Sequence, residues 1–354
     1  MEKILVLSDC EGPLTKDDNA FKLTEALAER CGLGAEVGRK FFERMSVVDD
    51  IWGDFGKVRQ IDPTYSSGHT LKVILPFFKA MGANREIVEK LSADTLMVVP
   101  NVKKAIAKLR KIAEVFIIST SYDFYLKSFC RATQFPFKNV RCTRVKRFNE
   151  APTLEINTFH LLGFMEEVAA MPVIKYDRKD GKPIKEHSQY YERITDFIWK
   201  YVYKTDSGLL MKQVIPVGQK QKAQAVAEIT KKLGYPGDRT MYVGDSQTDV
   251  QAVKMVKERG GLTMMFNGKG PVCAQSDLMY IGENALCISC IADYFARAGK
   301  NDVIKFFDPP MGRLLLDEYG EIIGSVTPES LPQLEEWSVA KRKKFRGVHI
   351  GSLT

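Results

Sequence analysis

Asp9 and Glu11, two residues apart, follow the apolar run Ile4-Leu5-Val6-Leu7-Ser8, and Gly12 behind them lets the chain turn sharply. Ser119-Thr120-Ser121 follows Val115-Phe116-Ile117-Ile118, and Gly244-Asp245-Ser246-Gln247-Thr248-Asp249 follows Thr240-Met241-Tyr242-Val243. Lys222 opens the amphipathic stretch that leads into the last of these runs. A carboxylate can be a nucleophile, forming an aspartyl-phosphate. An anionic phosphate repels it, so such a site needs positive charge. Asp9 and Asp245 offer the oxygen donors that Mg²⁺ prefers over His or Cys. Lys222 would add a second positive charge, and Ser119 a neutral hydrogen-bond donor to a phosphate oxygen. Glu11 is of the right type to protonate a leaving oxygen and later activate water. Any single Asp here could be only a turn or N-cap residue. All of them at once, each at its own strand end, are not well explained that way.

The elements that must position these groups are short apolar runs alternating with helical stretches. Ile4 to Ser8, Val115 to Ile118, Thr240 to Val243 and Leu262 to Phe266 read as buried strands. The second is preceded by Val102 to Ile112 and the third by Ala223 to Leu233, both amphipathic. Strands separated by helices argue for a parallel sheet with right-handed crossovers, whose ligands bind beyond the carboxyl ends of the strands. Residues 16–98 read as helices around a polar loop from Trp52 to Gly68. Residues 145–214 form a second insertion, with helices expected at Leu154 to Ala170 and Gln189 to Lys204 and a turn at Asp177 to Pro183. After Gly299 come a short strand pair (Arg313 to Leu316 and Ile322 to Val326), a polar helix and a basic end.

The chain has 354 residues, 45% hydrophobic and 27% charged, which excludes a disordered or fibrous class. Its net charge of +8 favours anionic small molecules or an acidic partner without singling out nucleic acid. No apolar run approaches the ~20 residues of a membrane span, and the first residues do not read as a signal peptide. Seven scattered cysteines argue against a disulfide framework and for a reducing cytoplasm.

Taken together, Asp9-x-Glu11-Gly12, Ser119, Lys222 and Gly244-Asp245-x-x-x-Asp249 resemble the four ordered motifs of the haloacid dehalogenase superfamily. The resemblance covers roughly residues 1–15, 99–145 and 215–300. It implies a Rossmann-like α/β core with a parallel sheet (1–15, 99–144 and 215–307), a helical cap at 16–98, a second insertion at 145–214 and a C-terminal extension at 308–354. The helical insertion and the lead-in Val98-Val99-Pro100-Asn101-Val102 are most similar to the phosphoserine phosphatase branch, and the second insertion to archaeal proteins of that type. The activity implied is a Mg²⁺-dependent phosphomonoesterase acting on a small phosphorylated metabolite. Carried over, Asp9 is the nucleophile and Glu11 the acid/base. Ser119, Thr120 and Lys222 bind phosphate, and Asp9, the backbone carbonyl of Glu11, Asp245 and, in support, Asp249 make the metal site. Glu11 stands where most family phosphatases have Asp, as it does in enolase-phosphatases of the superfamily, and Pro13 replaces the usual Thr. The alternative is a non-catalytic or regulatory subunit that keeps the fold.

Other features read more plainly. Cys287-Ile288-Ser289-Cys290 is a lone pair in an apolar stretch and reads as helix packing, and Cys10 should point into the core. The four histidines show no metal-ligand spacing, and Asn267 to Gly270 reads as a turn. Arg44 and Arg59 are the candidates for gripping an anionic substrate from the cap. Trp52 and Tyr65 are offered as substrate contacts, or else as packing between cap and core. The run Lys341-Arg342-Lys343-Lys344-Phe345-Arg346 reads as a solvated helix end, with the docking of an acidic protein partner as the rival reading.

Overall fold

The computed structural model describes residues 3–150, 155–177, 179–308 and 321–347. Seven strands form one sheet: β1 (Ile4–Ser8), β2 (Ala113–Tyr122), β3 (Val140–Thr143), β4 (Thr240–Gly244), β5 (Leu262–Phe266), β6 (Leu278–Ile281) and β7 (Ile322–Ser325). Their order is β3-β2-β1-β4-β5-β6-β7, parallel throughout except for β7, which runs antiparallel to β6. The expected α/β fold with a largely parallel sheet is therefore the one observed. Every residue of β1, β4, β5 and β6 is buried, as continuous apolar runs covered on both faces require. Helices Val102–Ile112 and Gln219–Leu233 lead into β2 and close to β4.

Strand order reverses around β1, which lies between β2 and β4. The segments leaving β1 and β4 are thus neighbours at the carboxyl edge of the sheet, where a crevice opens. The ladder continues one residue past β1, with Asp9 N donating to Val243 O at 2.8 Å.

Residues 16–98 contribute helices Asn19–Arg30, Ala35–Asp54 and Arg85–Asp94 and two short helices, Thr70–Val73 and Leu75–Ala80. Trp52 falls within the helix rather than in the polar loop and is fully buried with Tyr65. Segment 145–214 carries helices Glu155–Ala170 and Ser188–Asp196 and packs on those of 16–98. Trp52 lies 5.5 Å from Trp199 ring to ring, and Arg44 Nε donates to Met171 O at 2.9 Å. The C-terminal helix Leu331–Arg346 follows β7. Of the expected terminal strand pair, Ile322 to Val326 supplies β7, paired with β6, while Arg313 to Leu316 lies outside the described residues. Among the described residues no helix is long and apolar enough to cross a membrane.

Candidate active site

The exits of β1 and β4, the last part of β2 and one helix bring their polar groups together. Ser119 and Thr120, expected just past their strand, lie within β2, which runs on to Tyr122 with a register shift after Ser119. Lys222 is fully buried near the start of helix Gln219–Leu233, and its Nζ donates to Asp9 Oδ2 at 2.5 Å and to Asp249 Oδ1 at 2.8 Å. Asp249 is saturated: Oδ1 also accepts from Tyr242 Oη at 2.7 Å, and Oδ2 accepts from the backbone N–H groups of Asp245 and Ser246 at 3.0 and 3.1 Å. The last contact belongs to a capping box with Ser246, so ordinary helix-start chemistry anchors this carboxylate. Asp9, Asp245 and Asp249 each present a carboxylate oxygen, all within 4.8 Å of one another, and all three residues are buried. An all-oxygen anionic set of this kind fits a hard divalent cation. The Glu11 carboxylate is not part of that group.

Gly12 is required by this closeness. Its φ is +103°, and a Cβ there would sit 2.4 Å from Asp245 Oδ2, so no other residue allows the β1 and β4 exits to approach this far.

Glu11, Ser119 and Thr120 line the same cavity as Asp9 and Asp245, a space of about 120 Å³. Glu11 Oε1 accepts from Asn19 N at 2.8 Å, at the start of helix Asn19–Arg30. Ser119 Oγ donates to Ser121 Oγ at 3.1 Å, whereas Thr120 Oγ1 donates to the Val217 carbonyl at 2.9 Å. The seven predicted residues therefore converge: five line the cavity, while Lys222 and Asp249 do not line it but bond to Asp9 and to the Asp245 backbone N–H, respectively.

Burial dominates the electrostatics. It pushes the Asp9 carboxyl up to about 7, against the pull of Lys222 and with the push of Asp249 and Asp245. Burial also raises the Glu11 carboxyl well above its ordinary value, reinforced by Asp18. Lys222 goes the other way: burial works against its charge, but Asp249 and Asp9 outweigh it and hold the ammonium more firmly protonated. Asp245 is held below the usual carboxylate value because Arg342 and Arg346 overcome its burial.

Those two arginines depart from the sequence reading. Arg342 Nη1 and Arg346 Nη1 both donate to Asp245 Oδ2, at 2.6 and 3.0 Å. The basic end is thus not a wholly solvated helix: Lys343 and Lys344 are exposed, but Arg342 and Phe345 are buried and the Arg346 side chain is only 4% exposed. A signal was present in the spacing, since Ser338, Arg342, Phe345 and Arg346 share one helical face. Conversely, Arg44 and Arg59 do not line the cavity. Arg44 donates to the Met171 and Lys40 carbonyls, and Arg59 to the Gly53 carbonyl. Trp52 and Tyr65 take the packing role. Asp49 and Asp50 of helix Ala35–Asp54, which sequence patterning did not single out, do face the cavity.

The sequence matches no family model and no curated protein. Among solved structures, a gene product of Archaeoglobus fulgidus has the same fold along its whole length: 22% identity, 99% of each chain covered, TM-score 0.79. A substrate-bound phosphoserine phosphatase aligns far more loosely, at 15% identity and TM-score 0.46 over 83% of this chain and 99% of its own. A phospho-aspartyl intermediate analogue of a phosphoserine phosphatase aligns comparably, at 15% identity and TM-score 0.45 over the same shares of the two chains.

Proposed function

We propose that the protein is a phosphomonoesterase of the haloacid dehalogenase type, acting on a small phosphorylated metabolite through an aspartyl-phosphate on Asp9. The observation that carries this reading is Asp9 at the exit of β1, gripped by buried Lys222 and facing the same small cavity as Asp245, Glu11 and Ser119. Asp9 and Asp245 would hold Mg²⁺, with Asp249 bracing Asp245 through its backbone N–H. The bound ion would supply positive charge to the transferring phosphoryl group.

In the first step a carboxylate oxygen of Asp9 bonds to phosphorus as the ester P–O bond breaks. Glu11, whose burial favours the protonated carboxyl, delivers its proton to the departing oxygen. In the second, Glu11 takes a proton from water, whose oxygen attacks phosphorus and releases phosphate and the Asp9 carboxylate. Ser119 and Thr120 line the cavity where the phosphoryl oxygens would lie. Asp9→Asn is expected to lower phosphatase turnover by about 10⁴-fold or more, and full activity of that variant in Mg²⁺ would refute the mechanism.

A second reading is favoured by the guanidiniums on Asp245: a regulatory subunit that keeps the fold, with exposed Lys343 and Lys344 available to an acidic partner. Inactivity across a panel of phosphorylated amino acids, sugars and nucleotides, together with co-purification of a partner, would select it.

A further inference from the structure

We propose that Arg342 and Arg346 are phosphate-binding residues, supplying from the chain itself the positive charge that lets this cavity hold a phosphate dianion without a divalent metal. The inference rests on reading the cavity as the phosphate site, and it concerns binding rather than turnover.

Charge balance is the first argument. Lys222 neutralises one of the three clustered carboxylates Asp9, Asp245 and Asp249. Without further cations, an arriving dianion would meet two uncompensated negative charges in a buried, poorly screened space. Asp18, Asp49 and Asp50 line the same cavity and add to the repulsion. Among the described residues Arg342 and Arg346 are the only basic ones in its lining, and both sit on Asp245. With them in place the three clustered carboxylates are matched by three cations, and the surrounding Glu11, Asp18, Asp49 and Asp50 lie outside that balance.

Anchoring is the second. The arginines are carried by a packed helix, not by a loose tail. Phe345 is buried near Phe266, Ser338 Oγ donates to the Gly268 carbonyl at 2.6 Å, and the Lys16 ammonium lies 4.3 Å over the Phe345 ring. Arg346 is tied to the chain just beyond the β1 exit through the carbonyls of Lys16 and Asp17. Preorganised guanidiniums lose little on binding an oxyanion and present paired donors to it.

Donor capacity is the third. Arg342 is 4% exposed, and its Nε–H is buried with no hydrogen-bond partner among the described residues. A buried, charged donor left unpaired is costly unless a ligand completes it.

The test is calorimetric titration of inorganic phosphate into the full chain in EDTA and again in Mg²⁺. The wild-type chain is expected to bind phosphate in both. Arg342→Gln/Arg346→Gln is expected to lose about 10- to 100-fold in affinity in EDTA and to regain it in Mg²⁺, because the ion then supplies the positive charge that the guanidiniums have lost. That recovery is a result a misfolded variant could not give. Wild-type binding that requires Mg²⁺, or double-variant binding in EDTA equal to wild type, overturns the proposal. If the double variant does not fold, the wild-type pair of titrations decides alone. Activity surviving in Asp9→Asn would defeat the proposed mechanism yet leave a metal-free phosphate isotherm standing, so the two readings fail separately.

Discussion

The strand ends and the C-terminal helix meet on Asp245 from opposite directions, and they are built by different means. On the strand side, Asp9, Asp245 and Asp249 are placed by backbone. The β1 ladder runs on into Asp9, Gly12 permits close approach, and a capping box locks Asp249. On the helix side, Arg342 and Arg346 are placed by side-chain packing, through Phe345 in the core and Ser338 on the Gly268 carbonyl. The cap that fixes Asp249 is decided by neighbours in sequence, and so are the apolar runs that end at Asp9 and Asp245, although the ladder between them joins residues far apart. Packing placement depends on what the rest of the chain puts opposite.

The sharpest way to break the strand-side half is Lys222→Met. It leaves Asp9 and Asp249 without their buried partner, and one unpaired buried charge costs about 3–5 kcal/mol. Urea denaturation should show a loss of that size, and an unchanged midpoint would mean the ion cluster does not hold the strand ends together. For the helix-side half, Phe345→Ala should cost about 3 kcal/mol and weaken the hold on both arginines. The readout that isolates the site is phosphate affinity in EDTA, which should fall although neither arginine has been changed. If stability drops and that affinity does not, the helix does not position the guanidiniums.

The smallest effect concerns the wall that faces both halves. Burial raises the Asp49 carboxyl from 3.8 to about 6, opposed by hydrogen bonds from Tyr65 and Gly68. A group whose folded pKa is raised favours the folded state below its unfolded pKa, and that contribution disappears as pH rises through the folded value. Asp49 therefore lowers stability as pH rises from about 4 to about 6, by about 1–3 kcal/mol. Asp49→Asn should remove that downward contribution, so that stability falls less, or rises more, with pH in that window than in the wild type. His69 has the opposite sign: burial lowers it to about 3, so its contribution is lost as pH falls below its unfolded value near 6.5. A variant whose profile keeps the wild-type slope between pH 4 and 6 would remove Asp49 from this account.

The convergence of Asp9, Glu11, Ser119, Thr120, Lys222, Asp245 and Asp249 was legible because each follows or opens a strongly patterned apolar or amphipathic run, even where, as at Ser119 and Thr120, the strand continues past the run. β1, β4 and β5 match their apolar runs, and helix Val102–Ile112 matches its amphipathic stretch. β3 and β6 were not legible: four residues each give too short a pattern, and β3 carries Arg141 within it. The terminal strand Ile322–Ser325 was legible as a strand, but not its partner, since antiparallel pairing with β6 joins residues far apart in sequence.

Local patterning, then, determined the α/β sheet and the residues at its carboxyl edge, because turns, caps and strand exits are decided by neighbours in sequence. Tertiary structure alone decided where the positive charge around Asp245 comes from. Arg44 and Arg59, the cations nearest in the sequence argument, bond to backbone carbonyls away from the cavity. Arg342 and Arg346, some 97 and 101 residues beyond Asp245, take the position instead. A buried carboxylate needs a cation, but it does not specify which one. That choice is made by the packing that carries a distant helix to it.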